Sequence, residues 1–264
     1  EIFLVMVSGM GTIAGSVMGT YIGMLGGTDP AAKVLFATHL LSASVMAVPG
    51  SIVLAKMLCP QTEEATDHVA ISGKEKENSN ILDAISSGTV TGVKLMTNIA
   101  AMLLVFISLV ALANYITEGV IGRYTGLNDW IVKITDGKAQ GLTFQFILGV
   151  ITSPFMWLIG VPSQDIMLVG SLLGQKTILN EFVAYFQLQQ WKDAGLFMYE
   201  KSILMSTYIL CGFANISSIG ILLGGLGVLA PEKRGLISRI GVPAMIGGAL
   251  VSVLSATIIG MILG

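Results

Sequence analysis

Long apolar runs, interrupted by one strongly polar stretch, set the pattern of this chain. Residues 3–26, 35–58, 93–116, 142–160, 203–230 and 240–263 each hold close to the roughly 20 mostly apolar residues that a membrane-crossing helix needs. The polar stretch lies between Cys59 and Asn78. It carries Glu63, Glu64, Asp67, Lys74, Glu75, Lys76 and Glu77, the pattern of a solvated loop. Residues 80–92 alternate Ile81, Leu82 and Ile85 with Asn80, Asp83, Ser86 and Ser87, which predicts a short amphipathic helix in the interface. Residues 117–140 read as a second loop, with Tyr124 and Trp130 suited to the headgroup belt.

Two apolar segments carry polar groups that a plain span does not tolerate. One runs from Gly160-Val161-Pro162 through Gly174-Gln175-Lys176-Thr177 to Asn180-Glu181; the other is Cys211-Gly212-Phe213-Ala214-Asn215-Ile216-Ser217-Ser218. Non-helical backbone survives at hydrocarbon depth only when buried in protein or lining a cavity. An ionisable group there marks function. Residues 166–188 are too broken for a simple span and, together with 142–160, predict a re-entrant hairpin. Broken helices meeting at the midplane are how secondary transporters build a substrate site.

Composition agrees with a membrane class. Hydrophobic residues make up 53% of the chain and charged residues 11%, against about a quarter charged in a soluble domain. A net charge of −2 gives no sign of nucleic acid as a partner. Cys59 and Cys211 are too few for a disulfide framework and read as free thiols. The chain opens on Glu1 without a basic n-region or a cleavage pattern, and the lack of a starting Met predicts a piece of a longer protein. Lysine and arginine fall evenly on the two faces, so the positive-inside rule assigns no orientation.

The chain also resembles itself. Ser8-Gly9-Met10-Gly11-Thr12-Ile13-Ala14-Gly15-Ser16 is similar to Cys211 through Ile219, and Leu41-Ser42-Ala43-Ser44-Val45 to Leu254-Ser255-Ala256-Thr257-Ile258, in the same order. Such weak symmetry around glycine-broken segments is the best pointer to a transporter site. It predicts an all-α, inverted-repeat secondary transporter in three parts. Residues 1–58 form a broken helix and a span. Residues 59–140 form the polar loop, interfacial helix and scaffold helix. Residues 141–264 form a second repeat with a hairpin, a broken helix and the last span. By symmetry a further hairpin is expected upstream of Glu1.

These same residues carry a family resemblance. Gly160-Val161-Pro162, Gly170-Ser171-Leu172-Leu173-Gly174 and Thr177-Ile178-Leu179-Asn180-Glu181-Phe182-Val183-Ala184-Tyr185 resemble the second hairpin of the concentrative nucleoside transporters. Phe213-Ala214-Asn215-Ile216-Ser217-Ser218-Ile219-Gly220 resembles that family's broken seventh helix. Ile13-Ala14-Gly15-Ser16-Val17 and Ser42-Ala43-Ser44-Val45-Met46-Ala47 resemble its fourth and fifth helices. The family's first three helices and its first hairpin, with a Gly-Gln-Thr/Ser-Glu motif, have no counterpart here, so the resemblance covers the carboxy-terminal two thirds.

The resemblance implies cation-coupled nucleoside symport, with sodium ahead of protons, no enzymatic activity and no cofactor besides the coupling ion. It implies a homotrimer, multi-pass in the cell membrane (the inner membrane in a Gram-negative host). It places Asn180 and Glu181 at the hairpin turn against a ribose, Asn215 and Ser218 on the same sugar, and Phe213 against the nucleobase. It assigns Ser16 and Val17 to a partial sodium site through a hydroxyl and main-chain carbonyls. Plainer readings stand beside each: helix capping for Asn180 and Glu181, interhelical hydrogen bonding for Asn215 and Ser218, and close packing for Ser16 and its glycine neighbours. Lys176 reads as snorkelling to water rather than as a counter-ion for Glu181, and His39 as a hydrogen-bonded packing residue. A channel would need repeated rings or a filter sequence, and an intramembrane enzyme a nucleophile–base pair or metal cluster; neither pattern is read.

Overall fold

The computed structural model describes residues 1–62, 80–135, 137 and 139–264, and the acidic and basic residues of the expected loop from Glu63 to Glu77 lie outside them. The described residues form helices and no strand. They run α1 (Ile2–Gly11), α2 (Gly15–Gly26), α3 (Pro30–Leu58), α4 (Ile81–Asn114), α5 (Arg123–Thr125), α6 (Leu127–Ile134), α7 (Phe144–Leu158), α8 (Ile166–Ile178), α9 (Glu181–Asp193), α10 (Glu200–Leu210), α11 (Ile216–Leu229) and α12 (Arg234–Ile262). Three of the described segments, Ile2–Gly26, Pro30–Leu58 and Arg234–Ile262, are long and apolar enough to cross a membrane.

Local chemistry accounts for many of the helix starts. Asp29 accepts hydrogen bonds from Ala31 N (2.9 Å) and Ala32 N (3.3 Å) with Pro30 in the first turn, a strong start for α3. Thr143 caps α7 through Phe146 N at 3.1 Å. Asn80 caps α4 through Asp83 N at 2.9 Å. The short interfacial helix expected over 80–92 is therefore the first part of one unbroken 34-residue helix. Its hydroxyls offer no reason to stop, because groups such as Thr89 Oγ1 turn back onto the preceding carbonyls.

Two other expectations change. The loop expected over 117–140 is largely helical: α4 runs on as a π-helix from Tyr115 to Gly122, followed by α5 and α6. Asn114 and Asn128 hold this region to the start of α7, Asn114 Oδ1 accepting from Phe144 N at 2.7 Å and Asn128 Oδ1 from Leu142 N at 3.0 Å. The re-entrant hairpin has its tip between α8 and α9, at Leu179 and Asn180, while α7 is a third leg packed along α8. Buried Asp165 ties the start of α8 to α10 by accepting from Met198 N and Tyr199 N at 3.0 and 3.1 Å.

The core gathers on α12, which packs against α1, α3, α10 and α11. Its buried face is built mostly of small residues, Gly241, Ala244, Gly247, Gly248, Ser252, Ser255, Ala256 and Gly260, with Ile237 and Val251 among them. That is what close helix approach in lipid requires, where apolar burial alone gives no drive. At Gly248 the neighbouring backbone comes so near that a Cβ would lie 2.6 Å from Met10 Cβ and 3.0 Å from Met10 C.

Gly248→Ala should therefore lower the unfolding midpoint of the purified protein, by the ~1–3 kcal/mol typical of overpacking. Gly220→Ala, where a Cβ meets nothing within 4 Å, should leave the midpoint unchanged or raise it through better helix propensity. Equal behaviour of the two variants would remove the close-approach argument for α12.

Candidate functional site

Two half-helices begin at the same place. Asn180 is the N-cap of α9, its Oδ1 accepting from Val183 N at 2.9 Å. Asn215 is the N-cap of α11, its Oδ1 accepting from Ser218 N at 2.8 Å and Ser217 Oγ at 2.6 Å. Ser218 closes a capping box, donating to the Asn215 carbonyl at 2.6 Å and accepting from Asn215 N at 3.2 Å. Both helix N-termini favour negative charge, and Glu181, first residue of α9, supplies it. Its Oε2 accepts from Asn215 Nδ2 at 3.0 Å. Glu181 is 6% exposed, and Asn215 and Ser218 are fully buried.

The capping reading is thus realised for Asn180, while Asn215, read as an interhelical hydrogen-bonding residue, bonds Glu181 and also caps α11 with Ser218, so that each asparagine amide nitrogen is the group it can offer. Glu181 is not the cap. Asn180 has taken that position and frees the carboxylate to face the broken helix. Phe213 lies partly exposed in the break, its carbonyl accepting from Asn215 N at 3.1 Å.

A side chain from the first half of the chain completes the cluster. Tyr21 OH on α2 reaches Glu181 Oε1 at 3.5 Å, the long limit of a hydrogen bond. Its ring stacks on Tyr185 at 4.1 Å between centroids and tilts against Phe182 at 6.2 Å. Tyr185 OH is spent on the Thr207 carbonyl at 2.8 Å. Lys192 at the end of α9 donates to the Leu25 carbonyl at the end of α2 and lies 5.4 Å over Phe36, which fixes the hairpin against α2. Sequence reasoning missed Tyr21. Its one local signal is a hydroxyl-bearing ring in a segment otherwise made of small and apolar residues.

The structure places Ser16 on the exposed first turn of α2, with no hydrogen bond to its hydroxyl among the described residues, and Val17 partly buried against the core. The freed carbonyls expected at Ser16 and Val17 lie elsewhere. Val17 is inside α2, whose ladder uses its carbonyl. Carbonyls that no hydrogen bond reaches among the described residues include those of Gly9, Met10 and Gly11, at the end of α1. The internal match is also shifted: it pairs Thr12 with Asn215, whereas as N-caps Ala14 and Asn215 correspond, and Ala14 has no side chain to close its helix. Among the described residues no group of three or more His, Cys, Asp or Glu is gathered, so hydroxyls and carbonyls are the oxygens offered to a cation.

Lys176 does not snorkel. It is fully buried on α8, its ammonium donating to the Ile209 carbonyl at 2.7 Å and Ser252 Oγ at 3.0 Å, and it makes no ion pair with Glu181. His39 Nδ1 lies 3.1 Å from Tyr208 OH, a packed and hydrogen-bonded side chain as expected. Both cysteines are free, Cys59 exposed and Cys211 buried.

Comparison with known proteins gives the context. Residues 39–260 match the family described as Na+ dependent nucleoside transporter C-terminus. An uncharacterized transporter of Haemophilus influenzae is 39% identical over 267 residues, covering 100% of this chain and 59% of that protein. The nucleoside permease NupC of Helicobacter pylori is 36% identical, covering 100% of this chain and 58% of its own length. Sodium/nucleoside cotransporter 1 of Rattus norvegicus is 37% identical, covering 99% and 39%. Among solved structures, CNTnw in an inward-facing substrate-bound state superposes with a TM-score of 0.79 at 36% identity, over 98% of this chain and 56% of that one. A doubly substituted CNTnw in an outward-facing state gives 0.81. The chain thus spans about three fifths of these bacterial relatives.

Asn215 holds its helix start and the carboxylate at once, so Asn215→Ala should be costly on both counts. Loss of the cap alone is worth about 1–2 kcal/mol. In a double-mutant cycle with Glu181→Gln, the two changes should couple by roughly 1.5–3 kcal/mol, the scale of a hydrogen bond to a charged group. Simple additivity in denaturant unfolding would mean that the 3.0 Å contact carries no energy.

Proposed function

The chain belongs to the family of Na+-dependent nucleoside transporters, and from that membership we propose that it forms part of a cation-coupled nucleoside symporter working by alternating access around a fixed site. The observation that carries the reading is the buried Glu181–Asn215 pair at the meeting of two half-helix N-termini. A carboxylate only accepts, and an amide whose oxygen is already spent can only donate. A ribose 2′,3′-diol matches both: its protons go to Glu181 and its lone pairs take the remaining Asn215 Nδ2 proton. Asn180 offers a second amide nitrogen from the neighbouring helix start, and Ser218 holds the Asn215 cap in place beneath the sugar. Tyr21, only loosely bonded to Glu181 Oε1, is the partner that a substrate hydroxyl displaces. Phe213 packs against the base.

Sodium is the coupling ion and travels as cargo. Ser16 supplies one oxygen from the open first turn of α2, the helix that also carries Tyr21 to Glu181. Ion and nucleoside contacts therefore share one rigid element little more than a turn apart, which makes occupancy of one affect the geometry of the other. The protein acts as a multi-pass membrane protein in the cell membrane, in the inner membrane of a Gram-negative host, and as a homotrimer, with α4 as a scaffold helix.

Glu181→Gln tests the sugar assignment. It keeps the size and turns one acceptor into a donor, so a substrate hydroxyl loses a bond to a charged group worth about 1.5–3 kcal/mol. Uridine affinity should fall by roughly ten- to a hundredfold, while the variant still reaches the membrane because an amide is cheaper to bury than a carboxylate. 2′,3′-Dideoxyuridine should compete poorly with uridine on the unmodified protein. Equal competition by the dideoxy compound sinks the ribose assignment.

Ser16→Ala tests the ion assignment. The sodium concentration for half-maximal uptake should rise, with uptake partly regained at high sodium and nucleoside affinity little changed. An unchanged sodium dependence with weakened nucleoside binding would move Ser16 out of the ion site.

A further inference from the structure

The end of α10 is fully accounted for in hydrogen bonds. Thr207 O accepts from Tyr185 OH and Cys211 N, and Tyr208 O also accepts from Cys211 N. Leu210 O accepts from Gly212 N at 2.8 Å, and Cys211 O from Ser252 Oγ at 3.2 Å. That leaves Ile209 O, which takes the Lys176 ammonium. A helix that stops inside a bilayer leaves its last carbonyls as the negative end of its dipole, and here a cation sits on it.

The end of α1 crosses at the same point. A Cβ placed on Gly212 would lie 3.1 Å from Gly11 O, 3.2 Å from Met10 O and 2.5 Å from Ser252 Oγ, the hydroxyl that accepts from Lys176. The end of α1 thus packs on Gly212, just beyond the end of α10 and beside the Ser252 hydroxyl. The crossing is rich in carbonyl oxygen: Met10, Gly11, Ile209, Cys211, and Gly248, whose carbonyl is 3.4 Å from Ser252 Oγ. Lys176 is the charged group the structure sets among them, and it is fully buried.

We propose that the Lys176 ammonium is a tethered monovalent cation that neutralises this carbonyl-rich crossing and thereby positions the break carrying Asn215 against the hairpin carrying Glu181. Lys176 lies five residues before Glu181, and Ile209 six before Asn215. The Lys176–Ile209 and Glu181–Asn215 contacts are therefore two consecutive rungs between the same two segments. An ammonium suits the place because it is compact and donates in three directions. An apolar residue of the same length would fill the space and leave the carbonyls of two helix ends facing each other.

Chemical replacement tests the proposal. Lys176→Ala removes three carbons and a nitrogen, the heavy atoms of n-propylammonium; Lys176→Met keeps most of the apolar bulk and removes the charge. In the full-length transporter without nucleoside, both variants should unfold roughly 5 °C or more below the unmodified protein. n-Propylammonium should restore the Lys176→Ala midpoint saturably. It should do nothing for Lys176→Met or the unmodified protein, and 1-propanol should restore Lys176→Ala far less. Uridine affinity of Lys176→Ala should fall and return with n-propylammonium in parallel. A Lys176→Met midpoint equal to that of the unmodified protein overturns the proposal, as does full rescue by 1-propanol. If Lys176→Ala gives no folded protein, the Lys176→Met midpoint decides alone. Rescue of the midpoint in a protein that binds no nucleoside would leave the tethered cation standing and defeat the proposed substrate instead.

Discussion

A helix opened inside a bilayer must find a partner for every backbone group it frees, because lipid supplies none. Each of the two breaks in this chain answers that constraint differently. At the second, Asn215 closes the new helix start and Lys176, Tyr185 and Ser252 close the old helix end. At the first, Ala14 closes nothing and the carbonyls of Gly9, Met10 and Gly11 take no hydrogen bond among the described residues. One break is sealed by its own cap and by side chains of neighbouring helices, and the other keeps unbonded carbonyls. The asymmetry gives a related pair of elements two separate tasks, recognition at one and ion binding at the other in the function proposed above.

Capping chemistry and recognition chemistry are the same chemistry here. Asn180 and Asn215 spend their oxygens on helix starts, so the orientation of each amide is set by the backbone, and the Asn215 nitrogen is held on Glu181. Glu181 gains from lying in the first turn of α9 without having to cap it. A site of this kind is already organised before a ligand arrives, since its donors and acceptors are held by secondary structure rather than by the ligand.

Much of this was legible in the sequence, for a physical reason. Gly, Asn, Ser and Glu in apolar runs stand out against hydrocarbon, so both helix breaks, the hairpin tip and the Asn180–Glu181 and Asn215–Ser218 groups could be read directly. What could not be read depends on contacts between distant segments. Tyr21 meets Glu181 across 160 positions, and a hydroxyl-bearing ring in a helix does not name its distant partner. Lys176 sits within reach of solvent by length alone, and only the packing of α10 and α12 around it makes it a buried cap. The amphipathic pattern over 80–92 was real, but a pattern of faces does not show whether a helix ends, and α4 runs on through Gly88 and Gly92 with no proline to stop it.

As the scaffold span proposed above, that unbroken helix has a geometric consequence. Its 34 residues extend about 50 Å at 1.5 Å each, whereas the hydrocarbon layer is about 30 Å thick. Even at a tilt of about 40°, the upper end of the usual range, such a rod rises nearly 40 Å and leaves on the order of eight residues beyond the acyl chains. The polar first turns, with Asn80, Asp83, Ser86 and Ser87, are the part suited to headgroups. Those residues reach the interface by overlength rather than by a bend. Local bilayer thickness then sets how far α4 leans: a thinner membrane lays it down and a thicker one stands it up.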